Sequence, residues 1–174
     1  HVEMYPKGLF AVPAEYFRAS NMSRLQYWSK AAGLLDEFLK THPDASKNVF
    51  LPFALYDRAT CHYAEDQPEP ALDKLTRVID EFKDCNLLEQ AYNLRVNVEQ
   101  SLGNAEKAEQ AYLKALEVAE TRRNSIVAGE SLYSLVALLG EKKPNKQPTP
   151  RMKDAVPYAD KFWKEYGEDS PYKT

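Results

Sequence analysis

Residues 86–121 read NLLEQAYNLRVNVEQSLGNAEKAEQAYLKALEVAET. Leu87, Ala91, Leu94, Val98 and Leu102 recur every three or four residues, which is one face of a helix. Gly103-Asn104 then breaks the pattern. Ala105, Ala108, Tyr112, Ala115 and Ala119 form a second stripe of the same period. Two helices joined by a short turn are the unit from which the rest of the chain can be read. Towards the C-terminus, residues 124–140 carry Ile126, Val127, Leu132, Leu135, Val136 and Leu139, closed by Gly140. A charged, Pro-rich loop, EKKPNKQPTP, follows. A last helix holds Ala155, Ala159, Phe162, Trp163 and Tyr166 and ends at Gly167. Towards the N-terminus, Pro68 and Pro70 open a helix with Ala71, Leu75, Val78 and Phe82 on one face. Another is expected over 48–65, with Pro52 in its first turn, where a missing N–H is tolerated. Ser23 is the expected N-cap of a helix with Tyr27, Ala31, Leu34, Leu35, Phe38 and Leu39 at helical spacing. His42-Pro43 ends that run. PAEYFRAS at 13–20 reads as a short helix, and 1–12 as an extended lead-in. No segment alternates at period 2 for long enough to make a strand, so the chain is all-α with about seven or eight helices.

Composition agrees and excludes several classes. The 174 residues are 44% apolar and 28% charged, enough to bury a core without metals or disulfides. Only 6 glycines are present, too few for many tight β-turns or a glycine-rich phosphate loop. Lys plus Arg is 23 and Asp plus Glu 26, a net charge of −3, which opposes a general grip on nucleic acid. No apolar run approaches the ~20 residues of a membrane span. HVEMYPKGLF lacks a basic-then-apolar leader pattern, and with His1 in first place that carries no weight. Cys61 and Cys85 are expected as two free thiols, since they fall at opposite ends of parallel helices, beyond the ~7 Å a disulfide spans.

The helices repeat. Ala31-x3-Leu35-x2-Phe38 matches Ala71-x3-Leu75-x2-Val78, Ala108-x3-Tyr112-x2-Ala115 and Ala155-x3-Ala159-x2-Phe162. The leading alanines are 40, 37 and 47 residues apart. A small residue lets two helices cross closely, and large ones fill the space beside it. Stacked pairs bury apolar faces that a single pair cannot. The pattern resembles the tetratricopeptide family, whose ideal repeat is a helix–turn–helix of ~34 residues. The best match is 89–121, with Gly103 at the turn five residues before Ala108. Pro43 falls where the family often places a proline. Departures are plain: every gap exceeds the ideal, and Arg58-Ala59 and Arg95-Val96 stand where the family prefers a core Leu or Gly. FLKTHPDASK and ALYDRATCHYAEDQPEPALDKLTRVIDEFKD are similar to the variant found in bacterial envelope proteins, such as outer-membrane-assembly lipoproteins and cell-division coordinators. The resemblance implies a right-handed α-α superhelix, a solenoid of about four helix pairs. It is expected to span 23–167, after an N-terminal extension (1–22) and before a tail (168–174). It also slightly favours a periplasmic or envelope home over the cytoplasm.

Catalytic chemistry finds no support in the residues. His42 precedes a proline at a helix C-terminus, where capping accounts for a cation. His62, beside Cys61 and Tyr63, reads as a packed or groove-edge histidine. No pair of ligands at zinc spacing, no GxSxG and no P-loop occurs, so neither a metal nor a cofactor is expected. Glu15, Asp36-Glu37 and Asp80-Glu81 read as solvated charge, and Arg122-Arg123 as compensation of a helix end.

What remains is a surface. In the resembled family the first helix of each pair lines a concave side that holds an extended peptide or a partner helix. The register set by Ala71 and Ala108 puts Phe53, Tyr56, Thr60 and Tyr63 on that side of one repeat. In the next it puts Gln90, Asn93, Asn97 and Gln100 there, followed by Glu130 and Ser134. Four amides on one face are costly to bury without partners, so that face is expected to be wet. Amides can bond to an extended peptide's backbone, and tyrosines add contact area. Asn93 and Asn97 fall where some family members hold a peptide's terminal carboxylate, but the basic residues that complete such a clamp are not evident. The first expectation is therefore a non-enzymatic scaffold that binds a protein or peptide partner. A second is a piece of a longer repeat array acting as spacer or in self-assembly, with Phe162, Trp163 and Tyr166 as its docking face. A third is a small-ligand or enzymatic helical domain around His62.

Overall fold

The computed structural model describes residues 10–140 and 150–166, and every regular element among them is helical. The lead-in expected before residue 10, the loop at 141–149, and Gly167 with the tail after it lie outside the described residues. In order come α1 (Ala11–Arg24), α2 (Trp28–Thr41), α3 (Leu51–Ala64), α4 (Pro68–Glu81), α5 (Leu88–Ser101), α6 (Ala105–Thr121) and α7 (Ser125–Gly140). A 3-10 segment (Pro150–Ala155) leads into α8 (Val156–Tyr166). Neighbours in sequence pack as neighbours in space: α1 with α2, α2 with α3, α3 with α4, then α6 with α7 and α7 with α8. This is an all-α fold of the solenoid type, built from successive helix pairs. Contacts divide the chain into two compact units, His1–Leu94 and Arg95–Thr174, with the boundary inside α5.

The recurring alanines mark the crossings. Ala31, Ala71 and Ala108 are fully buried, and Leu35, Phe38, Leu75 and Val78 fill the space beside the first two. In the first unit Tyr16, Ala19, Ala31, Ala32, Leu35, Phe38, Ala54 and Cys61 form one core. In the second, Leu116, Ala119, Ala128 and Leu132 form another, against which Tyr158, Phe162 and Tyr166 of α8 pack. Tyr166 lies over Gly129, where an added methyl group would meet its ring at 3.6 Å.

One backbone device recurs at the turns. Gln26, Asp66, Gly103 and Arg123 all take positive φ, at 62, 56, 74 and 56°. In each case the next residue's N–H reaches back five residues: Tyr27 to Met22, Gln67 to His62, Asn104 to Glu99, Asn124 to Ala119. That is the Schellman closure, which satisfies the last carbonyls of the helix and turns the chain back. In two of the four, side chains repeat the bond. His62 Nδ1 pairs with Gln67 Oε1 at 2.8 Å, and Asn104 Nδ2 donates to Glu99 Oε2 at 2.8 Å. His62 is therefore a buried turn-closing residue, and Glu99 holds the same position one repeat later.

The long repeat spacing has a local cause. The first five helices are each 14 residues, and their in-pair turns each hold three, at 25–27, 65–67 and 102–104. Only the connectors between pairs vary, running over 42–50 and 82–87. Three residues in each connector would restore the ideal ~34-residue repeat. For the gaps of 40 and 37 the excess is thus confined to the connectors, whereas in the gap of 47 the connector at 122–124 holds only three residues and the excess lies within the last pair.

Several expectations are corrected. The short helix at 13–20 is the 14-residue α1, packed on both α2 and α3. Ser23 is not an N-cap: it is buried inside α1, where its hydroxyl lies 3.8 Å from the Cys61 sulfur. Tyr27 takes the N-cap position of α2 and is exposed rather than part of its stripe. Ala155 is buried but sits in the 3-10 segment, one residue before α8. Three carboxylates read as solvated are paired. Glu15 meets His42 Nε2 at 2.7 Å, Asp36 takes the Arg58 guanidinium through two bonds of 2.7 and 3.0 Å, and Glu81 takes Arg77. Cys61 and Cys85 are not joined in a disulfide, as expected.

Candidate functional site

Tyr56, Thr60 and Tyr63 lie on one side of α3, spaced four and three apart. Pro52 in the first turn fixes the helix start, and the Thr60 hydroxyl donates to the Tyr56 carbonyl at 3.1 Å. Tyr56 is half-buried; burial first, then the Asp57 charge, raises its phenol, so it stays a neutral donor. Tyr63 is the exposed member of the set, and Phe53, one turn before Tyr56, packs on the core.

Gln90, Asn93, Asn97 and Gln100 form a row along α5 with three-, four- and three-residue steps. Gln90, Asn97 and Gln100 are exposed and Asn93 is half-buried, while Ala91, Leu94 and Val98 on the same helix are buried. Gln90 and Asn93 belong to the first unit, Asn97 and Gln100 to the second. Glu130 and Ser134 are half-buried on α7.

Beside the α3 tyrosines lies a cluster that sequence reading missed. The Tyr16 hydroxyl on α1 donates to Asp57 Oδ2 on α3 at 3.1 Å, and Ser20 bonds to the same carboxylate. Burial is the largest effect on both groups. It pushes the Tyr16 phenol up to about 12 and raises the Asp57 carboxyl above its usual range, while the Ser20 and Tyr16 bonds and the Arg24 charge pull Asp57 back down. The Tyr16 ring also stacks on Phe50 at 5.1 Å. Tyr16 and Asp57 are 41 residues apart, so no local pattern announces the pair.

The clefts are shallow or occupied by paired charge. One of about 210 Å³ lies between α1 and α2, lined by Glu15, Arg18, Glu37, Phe38 and His42. The Glu15–His42 pair closes its floor, with the imidazole on the Phe38 ring at 4.9 Å. Another, of about 480 Å³, is walled by Val49, Pro52, Phe53 and Phe82, with the half-exposed Cys85 at its edge. Among the described residues no three His, Cys, Asp or Glu side chains come together as metal ligands. No described helix is long and apolar enough to cross a membrane.

This architecture has a solved counterpart. A crystal structure of MamA protein superposes with a TM-score of 0.64 at 18% identity, covering 99% of this chain and 81% of that one. The fold is tetratricopeptide-like. No family model and no curated protein matches the sequence. The likeness is therefore one of fold, and it assigns no activity.

Proposed function

We propose that this chain is a non-enzymatic scaffold that holds a peptide or partner helix on the solvent side of its first-of-pair helices. The observation that carries the reading is the amide row of α5, three of whose four members face water while the opposite side of the helix is buried. Amides held in a row on a rigid helix offer donors and acceptors to an extended backbone. Tyr56, Thr60 and Tyr63 supply a second contact set on α3. The likeness of 38–84 to envelope proteins supports a periplasmic setting. Peptide display on the native chain tests this. Selected peptides should lose binding to a Tyr63→Ala/Asn93→Ala/Asn97→Ala variant that melts like the native protein. Peptides that bind both equally would remove the proposal.

A second reading is self-assembly through the C-terminal helix. Trp163 is 62% exposed beside Phe162, whose ring also meets Tyr133 at 6.1 Å. Light scattering of the native chain and Trp163→Ser decides it. Association lost in the variant supports the reading, and a monomer in both ends it.

A further inference from the structure

The part of α3 that is not buried runs through Phe53, Tyr56, Asp57, Thr60, Tyr63 and Ala64. Asp57 is the single charge on that strip, three residues before Thr60 and so on the same face. It therefore sits inside the α3 contact set rather than beside it. Its surroundings are unusual for an acid. The Tyr16 hydroxyl and Ser20 reach it from α1, within the same unit, and both are neutral donors. Its charge acts on the Tyr16 phenol and on the Tyr56 phenol. Arg24 on α1 is exposed and acts on it, yet among the described residues no Lys or Arg lies within ion-pair distance of it. A carboxylate drawn part-way out of water with only neutral donors costs the fold stability. Asparagine has the same shape and could keep two hydrogen bonds without the charge. A charge that the packing does not need, fixed in place on a half-open strip, has its partner outside the molecule.

We infer that Asp57 is the specificity-determining residue of this face and receives the lysine or arginine side chain of an extended peptide. The inference rests on the reading of the α3 strip as a peptide-binding surface and adds which peptides it prefers. Tyr16 and Ser20 hold the carboxylate in one orientation, so little freedom is lost when a cation arrives. The bond formed is charge-assisted, in a place already partly shielded from water. The Tyr56 and Tyr63 rings give the alkyl stem an aromatic surface to lie on. An acidic side chain brought to the same place meets a like charge with no cation between them. Arg24 acts as an internal competitor, close enough to lower the attraction for an incoming cation without occupying the site.

The test is peptide display on the full native chain and on Asp57→Asn. The variant keeps the side-chain shape and should melt no lower than the native chain, so a change in binding is not unfolding. Peptides selected on the native chain should carry Lys or Arg at one fixed position, and those selected on Asp57→Asn should not. One selected peptide is then synthesised with a free and with an acetylated amino terminus. Changing its basic residue to Met should weaken binding to the native chain by about tenfold and leave binding to Asp57→Asn unchanged. Arg24→Ala should tighten the basic peptide by about threefold. Equal enrichment of basic residues on both chains overturns the inference, as does weaker binding to Arg24→Ala. Loss of binding on acetylation alone also overturns it, because the ligand is then a terminal amine. Peptides that need Tyr63, Asn93 and Asn97 but show no preference at Asp57 overturn this inference and leave the surface standing. Peptides indifferent to all of these positions, or no selected peptide on either chain, remove both.

Discussion

The turn closures carry a sharp prediction, because three of four left-handed positions are filled by residues that resist that geometry. Gln26 and Arg123 hold φ near +60° with side chains that clash with their own backbone there, a cost of about 1–2 kcal/mol each. Gly103 takes the same geometry with open space around it, and so without that cost. Glycine gives back about 0.4–1 kcal/mol through the freer unfolded chain. Gln26→Gly should therefore stabilise the protein by about 0.5–1 kcal/mol, and Gly103→Ala should destabilise it by about 1 kcal/mol. Asp66→Gly should gain less, since aspartate tolerates this region better. Gln26→Ala is the control. It keeps the clash and should change nothing. Urea unfolding followed by circular dichroism reads each as a midpoint shift of roughly 0.3–1 M. Loss of stability in Gln26→Gly, or no change in Gly103→Ala, would refute the claim that these turns are set by backbone geometry rather than by side-chain contacts.

Three further outcomes follow from the packing. Asp57 has its carboxyl raised by burial, so its folded form favours the proton. Its contribution is fully present below the unfolded value of about 3.9 and is lost as pH rises through the folded one. Asp57→Asn should accordingly melt higher than the native chain at pH 7, with the gap narrowing on acidification towards pH 4; a gap independent of pH would contradict this. Ala71→Leu overfills the α3–α4 crossing and should cost about 1–3 kcal/mol in chemical unfolding, whereas the exposed Ala105→Leu should cost nothing measurable. Asp36→Ala leaves the buried Arg58 guanidinium without its carboxylate and should destabilise by about 1–3 kcal/mol, while Arg58→Met should be near neutral in the same assay.

The pair architecture was legible because alanine at 31, 71 and 108 carries both the period and the close approach in single letters. The turns were legible only once, at Gly103, where the residue matches its geometry. At 26 and 66 the same geometry is occupied by Gln and Asp, which read as ordinary polar residues, so the even placement of the turns stayed hidden. The full length of α1 was obscured for a different reason. Phe10, Phe17 and Leu25 are apolar yet face water, so its hydrophobic stripe does not stand out from the opposite side. The α5 row could be seen because its amides are spaced for one helical face. The Tyr16–Asp57 and Glu15–His42 pairs join residues 41 and 27 apart, and no spacing rule reaches that far.

The constancy of the three-residue turns, set against the unequal connectors, has a consequence for how such a chain can change. One residue added to a turn at 25–27 or 65–67 would break the left-handed closure that aims the chain into the next helix, and so the packing of one helix of the pair on the other. Residues added within 42–50 cost only the slowly growing entropy of a longer loop, about 0.6 kcal/mol for a doubling. New sequence can therefore be acquired at the joints between pairs without renegotiating the interior. Natural insertions, grafted epitopes and domain fusions all have the same permitted addresses, and lineages of this architecture should differ there in length before they differ anywhere else.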